Sequence, residues 1–513
     1  MAKAPNILLI TADMQRGDCL GSFESKGVQA PHVERLARDG AQFSTCITPN
    51  LVCQPARASI VSGQLPLTHG VYDNGVDPDP AQGENGFAGR LTKAGYQTGF
   101  FGKAHFSSRE TFQPTGSPEC KTGSRDYAED WNGPYMGFEA ANLCVIGHLQ
   151  KTRKPEPPVG QHYERWFASR GEPEEAWNLH TTELLPVTGA HRTWNSGLPA
   201  AWHTSTWTAD RTIDYLKTCD GNKPFCVWAS FPDPHHPFAP PEPWSKMYPH
   251  EEVCLPEHRT LDLDRRPWWH RAYIEGKPKV KDAKMAKNRN DASKAKQQTD
   301  EQLRHMTANY FSMISLVDHN VGRILSALQD QGLTENTIIV YTSDHGDFLG
   351  DHGVYMKGPM AYEGLLRVGM VMKGPGIPAG TVVDDPMSTL DLAATFYDAA
   401  GVECPDDIQS QSVLPLVNGA GESRDMAFSE WHLLPIRCGV DMQLRTVRTK
   451  THKLTLELGS GAGEMYNLVD DPAEMDNLFD DPGSVKVRKE LENMIKARPG
   501  LIRETFNDPV GIA

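Results

Sequence analysis

The 513-residue sequence has no long apolar run and no surplus of positive charge. The apolar run in MAKAPNILLITAD ends at an aspartate and is too short for a signal-peptide core or a membrane span. The formal net charge of −15 argues against nucleic acid and anionic membrane surfaces as main partners. If the substrate is an anion, its attraction must therefore come from local cations, because the charge of the whole chain opposes it.

The sequence also lacks closely paired cysteines. Its ten cysteines are scattered without CxxC pairs, which favours reduced thiols and a cytoplasmic location. A hydrophobic content of 39%, with 45 glycines and 38 prolines, is typical of a globular, loop-rich, soluble protein. The length exceeds one typical domain and suits a large core with a smaller annex.

Four short apolar runs, rich in β-branched residues, predict buried strands separated by helices. They are NILLITAD (6–13), QTGFFGKAHF (97–106), FCVWASFPDPHH (225–236) and NTIIVYTSDHG (336–346). Apolar residues at three- and four-residue steps from Met306 to Leu328 predict an amphipathic helix, which Gly332 would end. This alternation predicts an α/β fold with a mostly parallel sheet covered on both faces.

The character of the sequence changes twice along the chain. Residues 277–296, within a predicted insertion at about 271–300, are rich in lysine, and a solvated insertion or oligomer arm is a better interpretation than a binding segment. From about residue 425 the pattern predicts a small antiparallel sheet and then a helix around 484–496. We therefore predict a catalytic domain at 1–424 and a small C-terminal subdomain at 425–513.

Polar residues of the kinds that bind ligands follow each of the four predicted strands. Open α/β sheets bind ligands beyond the carboxyl ends of their strands, so these residues predict one shared site. In strand order they are Asp13, then Lys103 and His105, then His235 and His236, then Asp344 and His345. Of the two adjacent histidines we favour His235 for the site, because it comes first after its strand.

Asp13, Asp344 and His345 form a predicted metal site. Carboxylates suit a hard divalent cation, and an imidazole moves the preference toward manganese or another transition ion. Asp13 alone is equally well explained as a helix cap, but the loop SDHGDFLGDHG is too polar for a core segment. The loop residues that would orient the metal ligands are Asp347, Asp351 and His352.

Cys53 stands in LVCQPARASIVSG, where a helix is predicted to begin. Pro55 fits a first helical turn, and Arg57 adds a fixed cation close by. A buried structural thiol is the default interpretation of a free cysteine, and a thiolate nucleophile is the alternative. A thiolate beside the predicted metal would favour a soft ion, so a group harder than sulfur would suit these carboxylates better.

The segment Cys53-Gln54-Pro55-Ala56-Arg57, followed by ASIVSG, resembles the signature of the type I sulfatases of the alkaline-phosphatase superfamily. The resemblance extends over nearly the whole chain through ILLITAD, GKAH, PHHPF, SDHGDFLGDHG, LRVGMVMKGPG and NLVDDPAEMDNL, in the family's order. It implies an alkaline-phosphatase-like fold, with a mixed, mostly parallel sheet between helices and a smaller antiparallel C-terminal sheet.

The resemblance also implies a mechanism. Cys53 would be oxidised after translation to Cα-formylglycine, whose hydrated aldehyde attacks the sulfate ester and forms a covalent sulfo-enzyme hemiacetal intermediate. The second hydroxyl of the hydrate then expels the product. One divalent metal, Mn²⁺ or Ca²⁺, would be held by Asp13, Asp344, His345 and the modified Cys53.

The resemblance assigns further roles to residues around this centre. Arg57 would orient the hydrate, and Asn74 would contact metal and substrate oxygens. His105 would take the proton that regenerates the aldehyde, and either His235 or Lys357 would assist the leaving group. The residues implied to surround the charged ester oxygens are Lys103, His105, His235 and Lys357.

Two departures from the common sulfatase pattern resemble the branch that contains phosphonate monoester hydrolases and choline sulfatases. Met14 replaces a second aspartate, and His345 replaces an asparagine, whereas the Lys103-x-His105 pair is that of arylsulfatases. We therefore predict hydrolysis of sulfate monoesters. Hydrolysis of phosphonate monoesters or phosphodiesters is the alternative, and a relative that binds without turnover is a third hypothesis.

The predicted partners are a small anionic ester as substrate and a formylglycine-generating enzyme during maturation. We also expect a homo-oligomer, a dimer or a tetramer. Glu363 and Arg367 are better interpreted as a pair at helical spacing than as substrate contacts.

Overall fold

The structure, a computed structural model, describes residues 4–20, 27–144, 161–171 and 173–512. Its strands are β1 Asn6–Asp13, β2 Ala41–Phe43, β3 Cys46–Ile47, β4 Gln97–Gly102, β5 Ala140–Leu143, β6 Glu183–Leu184, β7 Asn195–Ser196, β8 Phe225–Pro234, β9 Thr337–Ser343, β10 Met370–Lys373, β11 Thr381–Val383, β12 Met387–Ser388, β13 Ala427–Leu433, β14 Met442–Arg448, β15 His452–Glu457 and β16 Gly463–Asn467.

The α-helices lie mainly between the strands of the first 400 residues. They are α1 Pro31–Arg38, α2 Cys53–Ser62, α3 Pro66–His69, α4 Ala81–Asn85, α5 Phe87–Lys93, α6 His162–Ala168, α7 Pro173–Thr181, α8 Thr204–Thr218, α9 Trp268–Glu275, α10 Ala283–Ser293, α11 Asp300–Asp330, α12 Glu363–Leu366, α13 Leu392–Ala400, α14 Leu414–Val417, α15 Pro435–Cys438 and α16 Val485–Lys496. In the described part of the chain, no helix has the length and apolar character needed to cross a membrane.

An eight-stranded sheet runs through the larger part of the molecule in the order β11-β2-β10-β9-β1-β8-β4-β5. Only β10 is antiparallel to its neighbours β2 and β9, and the other pairs are parallel. Each of the four runs predicted as strands contributes a strand: β1, β4, β8 and β9. The predicted α/β fold with a mostly parallel sheet is confirmed.

Helices cover both faces of this sheet, which explains the unbroken apolar run of β1. Ile7 and Leu9 join the core cluster that also contains Phe396 of α13. The alternate residues Leu8 and Ile10 join a second cluster on the opposite face, with α1, α8 and α11. Because neighbouring residues of a strand point to opposite faces, a strand buried on both sides needs apolar residues throughout.

The 31-residue helix α11 matches the predicted amphipathic helix. Thr299 and Gln302 form a capping box at its N-terminus, and Gly332, with φ of 66°, follows its end. The buried stripe includes Val317 and Val321, which pack against the sheet. The helix therefore helps to cover one face, and a short turn with the 3-10 helix Thr334–Asn336 connects it to β9.

The C-terminal region contains a separate antiparallel sheet in the order β13-β14-β15-β16, as the sequence predicts. Helix α16 packs on it through Leu491 and Ile495. The chain then returns to the larger sheet's side, where Val510 N–H donates to the Gly75 carbonyl over 2.7 Å. A domain boundary at 424/425 stays a prediction.

Gly102, at the carboxyl end of β4, tests whether close packing against β8 limits the residue that can stand there. Its φ is 111°, and a Cβ there would meet the carbonyl oxygen of Ser230 on β8. We expect Gly102→Ala to lower the free energy of unfolding by more than the about 1–2 kcal/mol that a left-handed conformation alone costs. Chemical denaturation measures the difference.

Gly95→Ala is the matched control for this prediction. Gly95 has a similar φ of 95° but no atom within 4 Å of the added Cβ. Equal losses of stability in the two variants would contradict the proposed contact with Ser230.

Candidate active site

Cys53 is the first residue of α2 and is fully buried beyond the carboxyl ends of the central strands. Its Sγ lies 2.9 Å from Lys357 Nζ, 3.1 Å from His345 Nε2 and 3.7 Å from Lys103 Nζ. Lys103 follows β4, whereas His345 and Lys357 both follow β9. The structure therefore brings the predicted residues of separate strands around one sulfur atom.

Four residues near this sulfur form a candidate metal site. One ligand atom each from Asp13, Cys53, Asp344 and His345 lies within 4.8 Å of the others, and all four residues are buried. Two carboxylates and an imidazole suit a divalent cation, and sulfur is the only soft donor in the set. An oxygen at position 53 would complete a set of oxygen and nitrogen donors, so the residues present fit the implied metal.

Asp344 is held from two directions. Its Oδ1 accepts the backbone N–H groups of Met14 and His345, at 3.2 and 2.9 Å. Its Oδ2 accepts from Arg57 Nε at 2.8 Å in a fully buried ion pair. Burial alone would lower the pKa of Arg57, but Asp344 and Asp13 outweigh burial and raise it, so the guanidinium stays charged.

Two lysines supply positive charge next to Cys53. Lys103 Nζ forms an ion pair with Asp13, and Lys357 Nζ lies 3.2 Å from His235 Nε2. Burial disfavours ionisation of the Cys53 thiol, but Lys103 and Lys357 outweigh it and hold its pKa well below the usual range. The environment therefore stabilises negative charge at position 53.

Of the two adjacent histidines, His235 faces this cation cluster. Its Nδ1 lies 2.7 Å from the carbonyl oxygen of His236, which leaves Nε2 toward Lys357. The ring of His236 stacks on that of His235, with centroids 4.1 Å apart. This arrangement agrees with the preference for His235 that its position after β8 suggests.

Burial lowers the pKa of His105, and the neighbouring Cys53 opposes part of that shift, so the two side chains interact at the site. The φ of His105 is 49°, and its N–H donates to Glu119 at 2.5 Å. The same carboxylate accepts from Phe106 N and Ser107 N, both at 3.0 Å, and from Tyr135 OH at 2.6 Å. Glu119 therefore fixes the loop that carries His105, and the sequence alone contains no pattern that identifies it.

Asn74 lies beside the N-terminus of α2, where its Oδ1 accepts the N–H of Gln54 at 3.0 Å. The Gln54 side chain connects the surrounding loops: it accepts from Gly75 N at 2.8 Å and donates to Val76 O and Phe106 O at 2.9 Å. Gln54 occupies the first x position of Cys-x-Pro-x-Arg, to which the sequence alone assigns no role. Its contacts position Asn74 relative to Cys53.

The other polar residues of the SDHGDFLGDHG loop contact groups outside the candidate metal site. Arg16 Nη1 donates to Asp351 Oδ2 at 2.8 Å and to the Asp347 carbonyl at 3.0 Å. The His352 ring stacks on Tyr362, with centroids 3.8 Å apart. The Asp347 carboxylate also interacts electrostatically with His345 and Lys357, so this residue acts on the site directly.

Glu363 and Arg367 form the predicted pair, with 3.5 Å between Oε2 and Nε. Arg448 of β14 joins them, with its Nη2 at 3.1 Å from Glu363 Oε2. The pair therefore belongs to a contact between α12 and the C-terminal sheet.

Comparison with known proteins agrees with this geometry. A sequence profile described as sulfatase matches residues 5–402, and one described as the C-terminal part of N-sulphoglucosamine sulphohydrolase matches residues 350–499. An arylsulfatase of Clostridium perfringens is 28% identical over 491 residues, which cover 91% of this chain and 89% of that protein.

Two further similarities extend over most of the chain. An N-acetylglucosamine-6-O-sulfatase of Bacteroides thetaiotaomicron is 26% identical over 562 residues, covering 99% of this chain and 88% of that protein. The crystal structure of a phosphonate monoester hydrolase of Agrobacterium radiobacter has the same fold, with a TM-score of 0.74 at 24% identity, covering 96% of this chain and 95% of that chain. The chain therefore belongs to the sulfatase family of the alkaline-phosphatase superfamily, a family of sulfuric ester hydrolases.

Proposed function

We propose that this chain hydrolyses sulfate monoesters through an oxygen nucleophile formed at position 53, where Cys53 is oxidised to Cα-formylglycine. The observation that carries the proposal is the setting of Cys53, a buried residue whose neighbours are two lysines and three candidate metal ligands with nitrogen or oxygen donors. Sulfur is the one donor that does not suit this setting, and an aldehyde hydrate would replace it with oxygen.

The candidate metal ligands are Asp13, Asp344, His345 and the modified residue 53. A divalent cation bound there would supply positive charge to the oxygens of the ester and of the nucleophile. The same set is compatible with Mn²⁺ or Ca²⁺. Arg57 keeps Asp344 in place through the buried ion pair, and Asn74 lies beside the N-terminus of α2 as a further contact for ester oxygens.

The protein's own cations would hold the sulfate group. Lys103 forms an ion pair with Asp13, and Lys357 contacts His235. Both ammonium groups also lie near Cys53 Sγ. Fixed positive charges at a buried site stabilise a developing negative charge without having to reorganise. His235 or Lys357 would donate the proton to the departing oxygen, and His105 would accept a proton from the hydroxyl at position 53.

Hydrolysis of phosphonate monoesters or phosphodiesters is the alternative function. It is supported by His345 at the position where many sulfatases carry asparagine, and by cations that suit any tetrahedral oxyanion. A relative that binds without turnover is less favoured, because every residue type that turnover needs lies at the site. A formylglycine-generating enzyme as maturation partner, a homo-oligomer and a cytoplasmic location stay predictions.

Peptide mass and kinetics together test the proposed function. In enzyme produced with a formylglycine-generating enzyme, we expect the Cys53 peptide to be lighter by the conversion of CH₂SH to CHO. Across preparations, kcat per total enzyme should rise in proportion to the fraction of Cys53 that is converted. We expect kcat/KM for an aryl sulfate to exceed that for the matched aryl phosphonate monoester.

Two variants control this experiment. Cys53→Ala should remove nearly all turnover without unfolding the protein, since no other nucleophile is available. Cys404→Ser changes an exposed thiol and should retain activity. Full activity with an unmodified Cys53 peptide would rule out the nucleophile, and a higher kcat/KM for the phosphonate would favour the alternative function.

Glu119 gives a prediction about the position of His105. We expect Glu119→Gln to lower kcat about 10- to 100-fold, because a small displacement of a catalytic group has effects of this size. KM should change little, since Lys103 and Lys357 bind the sulfate independently. Steady-state kinetics on folded protein measures the two parameters separately.

Tyr135→Phe is the graded control for Glu119→Gln. It removes one donor to the carboxylate but leaves the N–H bond from His105, so kcat should fall less. A folded Glu119→Gln variant with unchanged kcat, or with KM as its main change, would show that Glu119 does not position His105.

The same residue predicts a pH dependence of stability. Burial raises the pKa of Glu119 to about 7 from 4.5, despite the four donors around it. Between these values the folded protein binds a proton that the unfolded chain has lost, so the free energy of unfolding falls as the pH rises and levels off above about 7. The slope reaches at most about 1.4 kcal/mol per pH unit.

Denaturation of the wild type and Glu119→Gln from pH 4.5 to 7.5 measures this contribution. The variant lacks the titrating group, so the wild type should lose stability relative to the variant across that range. Glu490→Gln changes an exposed residue of α16 and serves as the control. Its free energy of unfolding should change with pH in parallel with that of the wild type. Parallel curves for Glu119→Gln would contradict a raised pKa.

A further inference from the structure

The lysine-rich segment 277–296 has a charge opposite to that of the rest of the chain. It contains eight positively and two negatively charged side chains, a net +6. With −15 for the whole chain, the remainder carries −21. A segment of this charge is either a solvated surface or a surface that attracts anions to a nearby site. Its position relative to the active site distinguishes these two interpretations.

One side of the segment contacts the loop that carries Asn74. Arg289 of α10 is 3% exposed, and its Nη2 donates to the Asn74 carbonyl at 3.2 Å. Its Nη1 donates to the carbonyl of Ile512 in the returning C-terminal chain. A buried arginine that binds two backbone carbonyls fixes α10 beside the Asn74 loop.

The flanks of the segment contact the loop that carries Lys357. Before it, Tyr273 OH donates to the Lys357 carbonyl at 2.7 Å. After it, Gln297 Nε2 donates to Gly353 O at 2.8 Å, and Gln298 N donates to Tyr355 OH at 3.2 Å. The segment therefore borders the active site along the side of Asn74 and Lys357.

Most of the charge of this border faces solvent. Six of its lysines are exposed: Lys277, Lys279, Lys281, Lys284, Lys287 and Lys296. The two acids of the segment are engaged locally, since Asp282 caps α10 through Met285 N at 2.8 Å and Asp291 pairs with Lys287, also at 2.8 Å. The result is a positive rim, defined here as these six lysines.

We propose that the positive rim recruits sulfate esters whose alcohol part carries further anionic groups, carboxylates or additional sulfates. This substrate class rests on the proposed sulfate ester hydrolysis. A monoanionic ester needs only the buried cations around Cys53 to bind. Each added negative charge increases the repulsion from the rest of the chain, and only a local cluster of cations within about one Debye length, 8–10 Å, reverses it.

The test compares two aryl sulfates of similar leaving-group acidity and different charge. Phenyl sulfate carries one negative charge, and 5-sulfooxyisophthalate carries three. The rim variant replaces Lys281, Lys284 and Lys296 by glutamine. The control variant replaces Lys93, Lys217 and Lys223, exposed lysines near the starts of β4 and β8 and therefore at the opposite edge of the sheet.

Both variants lose the same net charge, so a difference between them reports position alone. We expect the rim variant to lose about ten-fold in kcat/KM for the trianion and about two-fold for the monoanion, because the energy in a given potential scales with ligand charge. The loss should lie in KM and should shrink at high salt. The control variant should change both substrates less than about two-fold.

Equal losses for the two substrates, or equal effects of the rim and control variants, would overturn the proposal. The proposal would also be overturned if the rim variant had an altered oligomeric state in size-exclusion chromatography but an unchanged kcat/KM for both substrates. Calorimetric binding of benzene-1,3,5-tricarboxylate makes the same comparison without turnover. If no sulfate ester is hydrolysed, that result counts against the proposed function alone. Weaker tricarboxylate binding by the rim variant would still support the role of the rim in attracting multiply charged anions.

Discussion

Arg57 connects the helix that begins at Cys53 with three strands of the sheet. Its Nε binds Asp344 after β9, and its Nη1 binds the Lys103 carbonyl after β4 and the Ser230 hydroxyl of β8, at 2.7 and 2.8 Å. Separating a buried charged donor from its acceptors would leave both unpaired away from water, so these contacts tolerate little displacement. Because one guanidinium fixes a candidate metal ligand and the backbone of a candidate sulfate ligand together, the geometry of the whole site depends on it.

With a divalent cation bound, the charges around Cys53 would require an anionic ligand as well. Asp13 and Asp344 would be neutralised by a divalent cation, which leaves the buried cations Arg57, Lys103 and Lys357 in excess. Buried like charges are costly unless something offsets them. A sulfate group, which brings negative charge and several acceptor oxygens, offsets them when it binds. With the cation bound, the arrangement would therefore be less favourable without the substrate, which is typical of active sites.

The sequence predicts the residues that follow strands, because a strand's apolar run and its carboxyl end are both local features. Asp13, Lys103, His235 and Asp344 are all found in this way. Glu119 is different, since it reaches His105 from a loop without a periodic pattern, and only the folded backbone brings its carboxylate to three consecutive N–H groups.

Arg289 shows the same limit within a segment that composition describes well. The run of lysines indicates a solvated stretch, and six lysines are indeed exposed, but one arginine among them is buried against the Asn74 carbonyl. Composition averages over a segment, whereas its position depends on particular contacts such as this one. Lysine would fit this position poorly, because a single ammonium lacks the planar fork that reaches two carbonyls. Arg289 therefore places the middle of the segment beside the Asn74 loop, while the contacts of its two flanks place its ends beside the loop of Lys357.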